Sequence, residues 1–132
     1  MLERLDKRAV DRISGPAWDE IRAVITLAHS ALVSPSAACS GELTTIYVKY
    51  GDALAGTMPY AVMWIKKSSS IVIGLALPAS IDVPSLASAP AGCKYAGLTR
   101  YLCLNAGDEV PAELASWAKE AYRYRYGGRD AA

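Results

Sequence analysis

The spacing of apolar residues changes its period along the chain. Over Pro16–Val33 the apolar side chains recur with the period of a helix, which predicts an amphipathic helix. A second stripe with the same spacing predicts a helix from about Pro111 to Tyr126. Between these helices, runs rich in β-branched and aromatic residues predict strands. The predicted strands are 43–51, 60–67, 71–78 and 95–105.

This order of elements predicts the fold class. A helix, four strands and a second helix give a two-layer α+β domain, in which about four mainly antiparallel strands are covered by an N-terminal and a C-terminal helix. We expect residues 1–132 to form a single domain. Within it, residues 1–13 are expected to be an arm or short helix, 34–42 and 79–94 surface connections, and 127–132 a frayed tail.

Composition and charge narrow the class of protein. Hydrophobic residues make up 52% of the chain and charged residues 20%, which is typical of a globular protein. The net charge of +1 disfavours nucleic acid and anionic membranes as partners, and the longest apolar run, 70–81, is too short to span a membrane. Three widely spaced cysteines and a charged N-terminus without a signal-peptide pattern predict a cytoplasmic protein without a disulfide scaffold.

Three stretches resemble known domains. They are the strand "LTTIYVKYG", the basic-tipped hairpin "YAVMWIKKSSSIVIGLALP" and the closing unit "KYAGLTRYLCLNAGDEVPAELASWAKEAY". They cover roughly residues 43–124 and resemble the small bacterial YdhG-like domains and related families described as predicted transport proteins. The resemblance implies an α+β fold and little about function. Some relatives are described as frataxin-like iron chaperones, which need an acidic ridge; the thirteen acidic residues here are scattered, so no iron-binding residue is carried over.

Sequence motifs for catalysis and metal binding are absent. No G-x-S-x-G, P-loop or G-x-G-x-x-G pattern occurs, and the one histidine, His29, has Ile25 and Val33 at helical spacing instead of further ligands. We therefore expect a packing histidine, no metal site and no cofactor. Cys93 is the candidate reactive thiol because the lysine that follows it can lower its pKa. Cys103 is expected to be a small buried hydrophobe.

Polar and aromatic side chains on the predicted sheet are the candidates for ligand binding. Tyr47, Lys49, Arg100 and Tyr101 lie within predicted strands, where such a face can bind an anion or a flat molecule. The sequence therefore favours a non-enzymatic binding or accessory module that uses a sheet face or an adjacent cleft. Its partner is expected to be a small anionic or aromatic molecule, or another protein.

Two alternative functions and one assembly stay open at this point. The first alternative is an enzyme without a recognisable motif, with Cys93 or a Tyr/Lys group as its reactive group. The second is a weak nucleic-acid accessory protein, because "YRYRYGGR" at 122–129 interleaves arginine and tyrosine, although a helix spreads these side chains around its axis. A homodimer through an edge strand is a further expectation, since an open sheet has unpaired edges.

Overall fold

Helices flank the sheet near both ends of the chain. The computed structural model describes residues 2–78, 80–81, 86 and 92–127. Much of the connection predicted at 79–94, and the predicted tail beyond Gly127, lie outside the described residues. The first helix begins at Lys7 and is capped by Asp6, whose carboxylate accepts a hydrogen bond from the backbone N–H of Arg8. The helices are α1 (Lys7–Arg12), α2 (Arg22–Leu32) and α3 (Leu114–Tyr126).

The helix predicted over Pro16–Val33 is interrupted near its start. A short 3-10 turn occupies Pro16–Trp18, and α2 begins only at Arg22. The guanidinium group of Arg22 donates to the backbone carbonyls of Ile13 and Gly15, at 2.8 and 2.7 Å. These bonds hold a corner between α1 and α2, so the chain bends where the apolar period alone predicts a continuous helix.

The strands form one antiparallel sheet in which each strand pairs with the next along the chain. This meander confirms the predicted α+β class, although the sheet has five strands instead of about four. The strands are β1 (Cys39–Thr44), β2 (Tyr47–Asp52), β3 (Ala61–Trp64), β4 (Ser70–Leu75) and β5 (Arg100–Asn105).

The additional strand comes from a turn inside the run 43–51, which the sequence predicts as one strand. Thr44 and Tyr47 face each other in the register, so Thr45 and Ile46 form a two-residue hairpin loop. Thr45 has a φ of 54°, a left-handed conformation that β-branched residues seldom adopt. Because the loop contains no Gly, Asn, Asp or Pro, the sequence carries no turn signal there. The second part of the loop predicted at 34–42 therefore belongs to β1.

The two faces of the sheet carry different cores. On the face covered by the helices, Val48, Met63 and Ile73 align across three strands and are fully buried. Side chains of α2 and α3 belong to the same core, which confirms the predicted helical cover. The opposite face, called here the outer face, is partly covered by residues 92–98. Its buried side chains are Val62, Trp64, Ala76, Cys93, Leu98 and Tyr101.

His29 is buried in the helix-side core, in the packing role expected from its apolar neighbours. Its Nδ1 lies 2.9 Å from the hydroxyl of Tyr50, and its Nε2 lies 2.7 Å from the carbonyl oxygen of Glu3. The carbonyl can only accept, so Nε2 carries the proton and Nδ1 accepts from Tyr50. Burial lowers the pKa of His29, and the ring is neutral at pH 7.

The N-terminal arm covers one edge of the sheet. On β1, the N–H of Gly41 donates to the carbonyl of Arg4, and its carbonyl accepts from Asp6, both at 2.8 Å. Leu43 is bonded in a similar way, since its N–H donates to the Asp6 carboxylate at 3.1 Å and its carbonyl accepts from Arg8 at 2.9 Å. A homodimer through an edge strand would therefore use β5, and this assembly stays a prediction.

Candidate ligand cleft

A cleft opens on the outer face of the sheet, between strands β1 and β2 and the loop 53–59. Its volume is about 340 Å³, which lies within the usual range of small-molecule sites, roughly 300–1,000 Å³. The two strands form its floor, the loop one wall, and the segment 92–98 another. Lining side chains include Ser40, Glu42, Lys49, Thr57, Met58 and Tyr95.

Asp52, at the end of β2, stabilises the first turn of the loop 53–59, which is called here the cleft loop. Its buried carboxylate accepts hydrogen bonds from the hydroxyl of Tyr122 at 2.6 Å and from the backbone N–H of Leu54 at 2.9 Å. Its backbone carbonyl accepts from Ala55 and Gly56, at 2.9 and 3.0 Å. The bond from Tyr122 is the main reason that the pKa of Asp52 is lowered, so the carboxylate is charged at neutral pH.

Tyr126, at the end of α3, supports the middle of the loop. Its hydroxyl donates a hydrogen bond to the carbonyl of Met58. Its ring lies against Gly56, where an added Cβ would be only 3.0 Å from a ring carbon. The "YRYRY" segment therefore directs Tyr122 and Tyr126 into the protein, and Tyr124 is left 55% exposed. Tyr122 and Tyr126 are two of the aromatic residues on which the nucleic-acid alternative depends, and both are engaged in these contacts within the protein.

Arg125 joins the two walls of the cleft. Its Nε donates to the carbonyl of Pro59 at 2.9 Å. The same guanidinium group packs against Gly97, which has a φ of 90° and where an added Cβ would lie 2.5 Å from Nη2. Gly97 belongs to the segment 92–98, which also contains Tyr95. The side chain of Arg125 therefore contacts both the loop 53–59 and the segment 92–98.

Glu42 and Lys49 carry opposite charges on the floor of the cleft. They are direct cross-strand neighbours in the register of β1 and β2, and both line the cleft. Opposite charges in such positions commonly attract each other, but no ion pair or hydrogen bond joins these two side chains among the described residues. Glu42 also interacts electrostatically with Arg8, whose guanidinium group is paired with Asp6.

Tyr95 forms the aromatic wall of the cleft and is held by the outer-face cluster. Its ring packs edge-on against Tyr47 with 5.7 Å between centroids, and its backbone N–H donates to the hydroxyl of Tyr101 at 3.3 Å. Trp64 lies 5.9 Å from Tyr47 and 6.0 Å from Tyr101, measured between ring centroids. Gly74 makes room for this row of rings, because an added Cβ would lie 2.8 Å from the ring of Tyr101.

The structure brings together only some of the four residues predicted for ligand binding. Lys49 lines the cleft, and Tyr47 lies directly behind the aromatic wall. Tyr101 is on the same face but only 2% exposed, so it supports the wall instead of facing the cleft. Arg100 lies on the helix side of the sheet, where its guanidinium group donates to two backbone carbonyls at 3.2 Å.

The environments of two cysteines are the reverse of those expected from the sequence. Cys93, the candidate reactive thiol, is buried in the outer-face cluster, and burial raises its pKa, which disfavours the nucleophilic thiolate. Cys103 is exposed, so its expected burial is wrong. The segment 92–98 packs its own side chains onto the outer face and leaves the position of Cys103 on β5 uncovered.

Sequence reasoning misses three parts of the cleft. Glu42 falls in the predicted loop 34–42, the loop 53–59 has the composition of a plain connection, and Tyr95 falls in a predicted strand. The register that places Glu42 opposite Lys49 depends on the hairpin turn that has no sequence signal. One usable signal is Asp52, because an aspartate at the end of a strand often accepts hydrogen bonds from the backbone that follows.

Neither a metal site nor a membrane helix is found in the part of the chain that the structure describes. There, no group of three or more His, Cys, Asp and Glu side chains is placed to hold a metal ion. None of the described helices is long and apolar enough to cross a membrane. Comparison of the chain with protein-family models, with curated proteins and with solved structures gave no match. The resemblance to YdhG-like domains remains a prediction from the sequence.

Proposed function

We propose that the protein is a non-enzymatic binding module that holds a small molecule in the outer-face cleft. The observation that carries this proposal is the fixing of the loop 53–59 by side chains of α3, at Asp52, Met58 and Pro59. A loop held at three points keeps the cleft open before a ligand arrives. Preformed sites bind with a smaller loss of conformational entropy than sites that must be ordered by the ligand.

The chemistry of the lining supports a ligand that has both a charged and an apolar part. Lys49 supplies a cation, Tyr95 an aromatic surface, and Ser40 and Thr57 supply hydroxyl groups that can donate or accept hydrogen bonds. This combination of one apolar wall and a few polar groups is typical of small-molecule sites.

Two observations disfavour catalysis by Cys93 or His29. The pKa of Cys93 is raised by burial, and His29 is bonded to Tyr50 and Glu3 on the helix side of the sheet. Neither of these two side chains lines the cleft, which argues against an enzyme that uses cysteine or histidine there. The free cysteines also support the proposal that the protein works in a reducing compartment, the cytoplasm.

A thermal-shift screen of the purified protein tests the proposed function. The panel contains amino acids, small organic acids, nucleotides, aromatic metabolites and short oligonucleotides. A ligand at about 100 times its dissociation constant should raise the free energy of unfolding by about 2.7 kcal/mol, which gives a readily measured shift in melting temperature.

Two matched tryptophan variants show whether a hit occupies the cleft. Ser40→Trp fills the cleft floor, whereas Ser30→Trp adds the same side chain on the exposed side of α2. We expect the first variant to abolish the shift and the second to preserve it. A hit that survives Ser40→Trp, or a panel without any hit, would overturn the cleft as a small-molecule site and favour a protein partner or one of the alternative functions.

A further inference from the structure

We infer that the cleft recognises a zwitterion, an α-amino acid with an apolar or aromatic side group, and this inference rests on the proposed function. The ammonium group of the ligand would lie beside Glu42 and its carboxylate beside Lys49, with the side group against Tyr95. The juxtaposition that carries the inference is a glutamate and a lysine placed opposite each other on the cleft floor without a bond between them.

The pairing of β1 fixes the spacing of the two charged residues. Gly41 and Leu43 direct their backbone groups to the N-terminal arm, so the residue between them, Glu42, directs its backbone groups to β2. Glu42 and Lys49 therefore form the wider, hydrogen-bonded type of antiparallel pair, with about 5.5 Å between Cα atoms. The side chains of Glu42 and Lys49 begin at neighbouring Cα atoms, but their charged ends are not bonded to each other. A gap therefore lies between the carboxylate of Glu42 and the ammonium group of Lys49.

The charges of the floor select against ligands with a single charge. A simple anion beside Lys49 is repelled by Glu42, and a simple cation beside Glu42 is repelled by Lys49. Asp52 also lines the cleft and keeps its negative charge, but its carboxylate is buried and accepts hydrogen bonds from Tyr122 and from the backbone of Leu54, so Glu42 is the carboxylate of the floor that is open to a ligand. A zwitterion satisfies both sides of the gap at once.

The walls of the cleft provide for the apolar part of such a ligand. Tyr95 is held in place through Tyr47 and Tyr101, so its ring is a fixed surface. On the other wall, Met58 is 46% exposed and has a flexible side chain that adapts to different shapes. The walls therefore favour an aromatic or aliphatic side group over a charged one.

Three probes that share one aromatic ring test the inference. L-phenylalanine carries both charges, N-acetyl-L-phenylalanine keeps only the carboxylate, and L-phenylalaninamide keeps only the ammonium group. Their dissociation constants are measured by isothermal titration calorimetry, with backbone amide chemical shifts of the protein as a second readout. We expect L-phenylalanine to bind at least about tenfold more tightly than either analogue, the fold-change that corresponds to one charge-assisted hydrogen bond.

Charge-removing variants assign each group of the ligand to one side chain. Lys49→Met keeps the apolar stem of the lysine, and we expect it to abolish the preference for L-phenylalanine over L-phenylalaninamide. Glu42→Gln keeps the shape of the glutamate, and we expect it to abolish the preference over N-acetyl-L-phenylalanine. Lys119→Met and Glu113→Gln make the same changes at exposed positions at or near α3, away from the cleft lining, and should leave all three constants unchanged.

The outcomes separate this inference from the proposed function. If N-acetyl-L-phenylalanine binds as tightly as L-phenylalanine and Lys49→Met weakens both, the cleft is an anion site, and the zwitterion inference fails while the proposed function stands. If no probe binds but the wider panel gives a hit that Ser40→Trp removes, the inference fails in the same way. If neither the probes nor the panel bind, both the inference and the proposed function fail.

Discussion

Tyr122 on α3 donates a hydrogen bond of 2.6 Å to the carboxylate of Asp52, at the point where β2 ends and the cleft loop begins. The bond joins α3 directly to the strand end from which the loop 53–59 begins, and it is the main cause of the lowered pKa of Asp52. A helix that covers one face of the sheet therefore controls the shape of the loop on the other face.

Replacing Tyr122 with phenylalanine removes this bond and keeps the ring. We expect Tyr122→Phe to lower the free energy of unfolding by about 1–2 kcal/mol at pH 7, because a charged acceptor loses a donor. Urea unfolding followed by circular dichroism measures the difference. Tyr124→Phe is the matched control, since its ring is 55% exposed, and it should change stability by less than about 0.5 kcal/mol.

The difference between wild type and Tyr122→Phe should depend on pH. The pKa of Asp52 is lowered in the folded state. The contribution of its charged carboxylate to the free energy of unfolding is therefore fully present above the unfolded pKa of about 3.9. It is lost as the pH falls through the still lower folded pKa. We expect the difference between the two unfolding free energies to narrow once the pH falls below about 4, in a urea series taken from pH 7 to pH 2. A difference that stays constant over this range would contradict the assignment of the bond to the charged carboxylate.

His29 should make the protein less stable in mild acid. Its pKa is lowered by burial, so below about pH 6.5 the unfolded chain takes up a proton that the folded protein does not. Stability then falls with decreasing pH, by at most about 1.4 kcal/mol per pH unit, until the folded ring is also protonated. Urea unfolding between pH 7 and pH 5 measures the slope.

The sequence contains one histidine, so His29→Gln should remove most of this slope. If that variant does not fold, an NMR titration of the imidazole in the wild-type protein gives the pKa directly. A folded-state pKa at or above about 6.5 would refute the prediction.

Thiol labelling should distinguish the exposed cysteine from the buried ones. We expect Cys103 to react with a thiol reagent such as DTNB at a rate close to that of a free cysteine, because it is exposed. Cys39 and Cys93 are buried, and burial raises the pKa of both, so they should react at least about 100-fold more slowly.

Two serine variants check the assignment of the fast thiol. Cys103→Ser should remove the fast phase, and Cys93→Ser should leave it intact. A fast phase that disappears in Cys93→Ser would restore Cys93 as the reactive thiol expected from the sequence.

Gly74 should not tolerate a side chain. An added Cβ would lie 2.8 Å from the ring of Tyr101 and 2.9 Å from Leu98, so Gly74→Ala must displace the outer-face cluster. We expect a loss of about 1–3 kcal/mol in the free energy of unfolding. Gly15→Ala is the matched control, because nothing lies within 4 Å of its added Cβ, and it should change stability by less than about 0.5 kcal/mol. Equal effects for the two variants would contradict the packing described for β4.

The features that the sequence predicts well are those that depend on local pattern. The stripe of α3 is visible because one face of this helix is buried, and the apolar runs of β3 and β4 are visible because these central strands are covered on both faces. The turn at Thr45 is not visible, because its residues are typical of strands and only the pairing of Thr44 with Tyr47 reveals it. The corner held by Arg22 is missed for a similar reason, since its hydrogen bonds reach back to Ile13 and Gly15.

The candidate cleft is predicted less well than the fold. Lys49 and Tyr47 are found because alternation along one strand places them on one face. Glu42 and Tyr95 are missed because their positions depend on residues far away in the sequence, through the β1–β2 register and the packing of 92–98. The exposure of Cys103 and the burial of Cys93 are missed for the same reason, because both depend on which strands the segment 92–98 covers.

The meander order of the sheet also bears on how the chain reaches its native state. Strands β1 to β4 are joined in order by short connections, so their hairpins can form through loop closures with small entropic cost, whereas β4 and β5 are separated by the longer connection 76–99. The packing of α2 against α3 joins opposite ends of the chain and requires a much longer closure. Stopped-flow refolding should therefore show a transition state in which the β3–β4 hairpin is already formed and the contact between α2 and α3 is still absent.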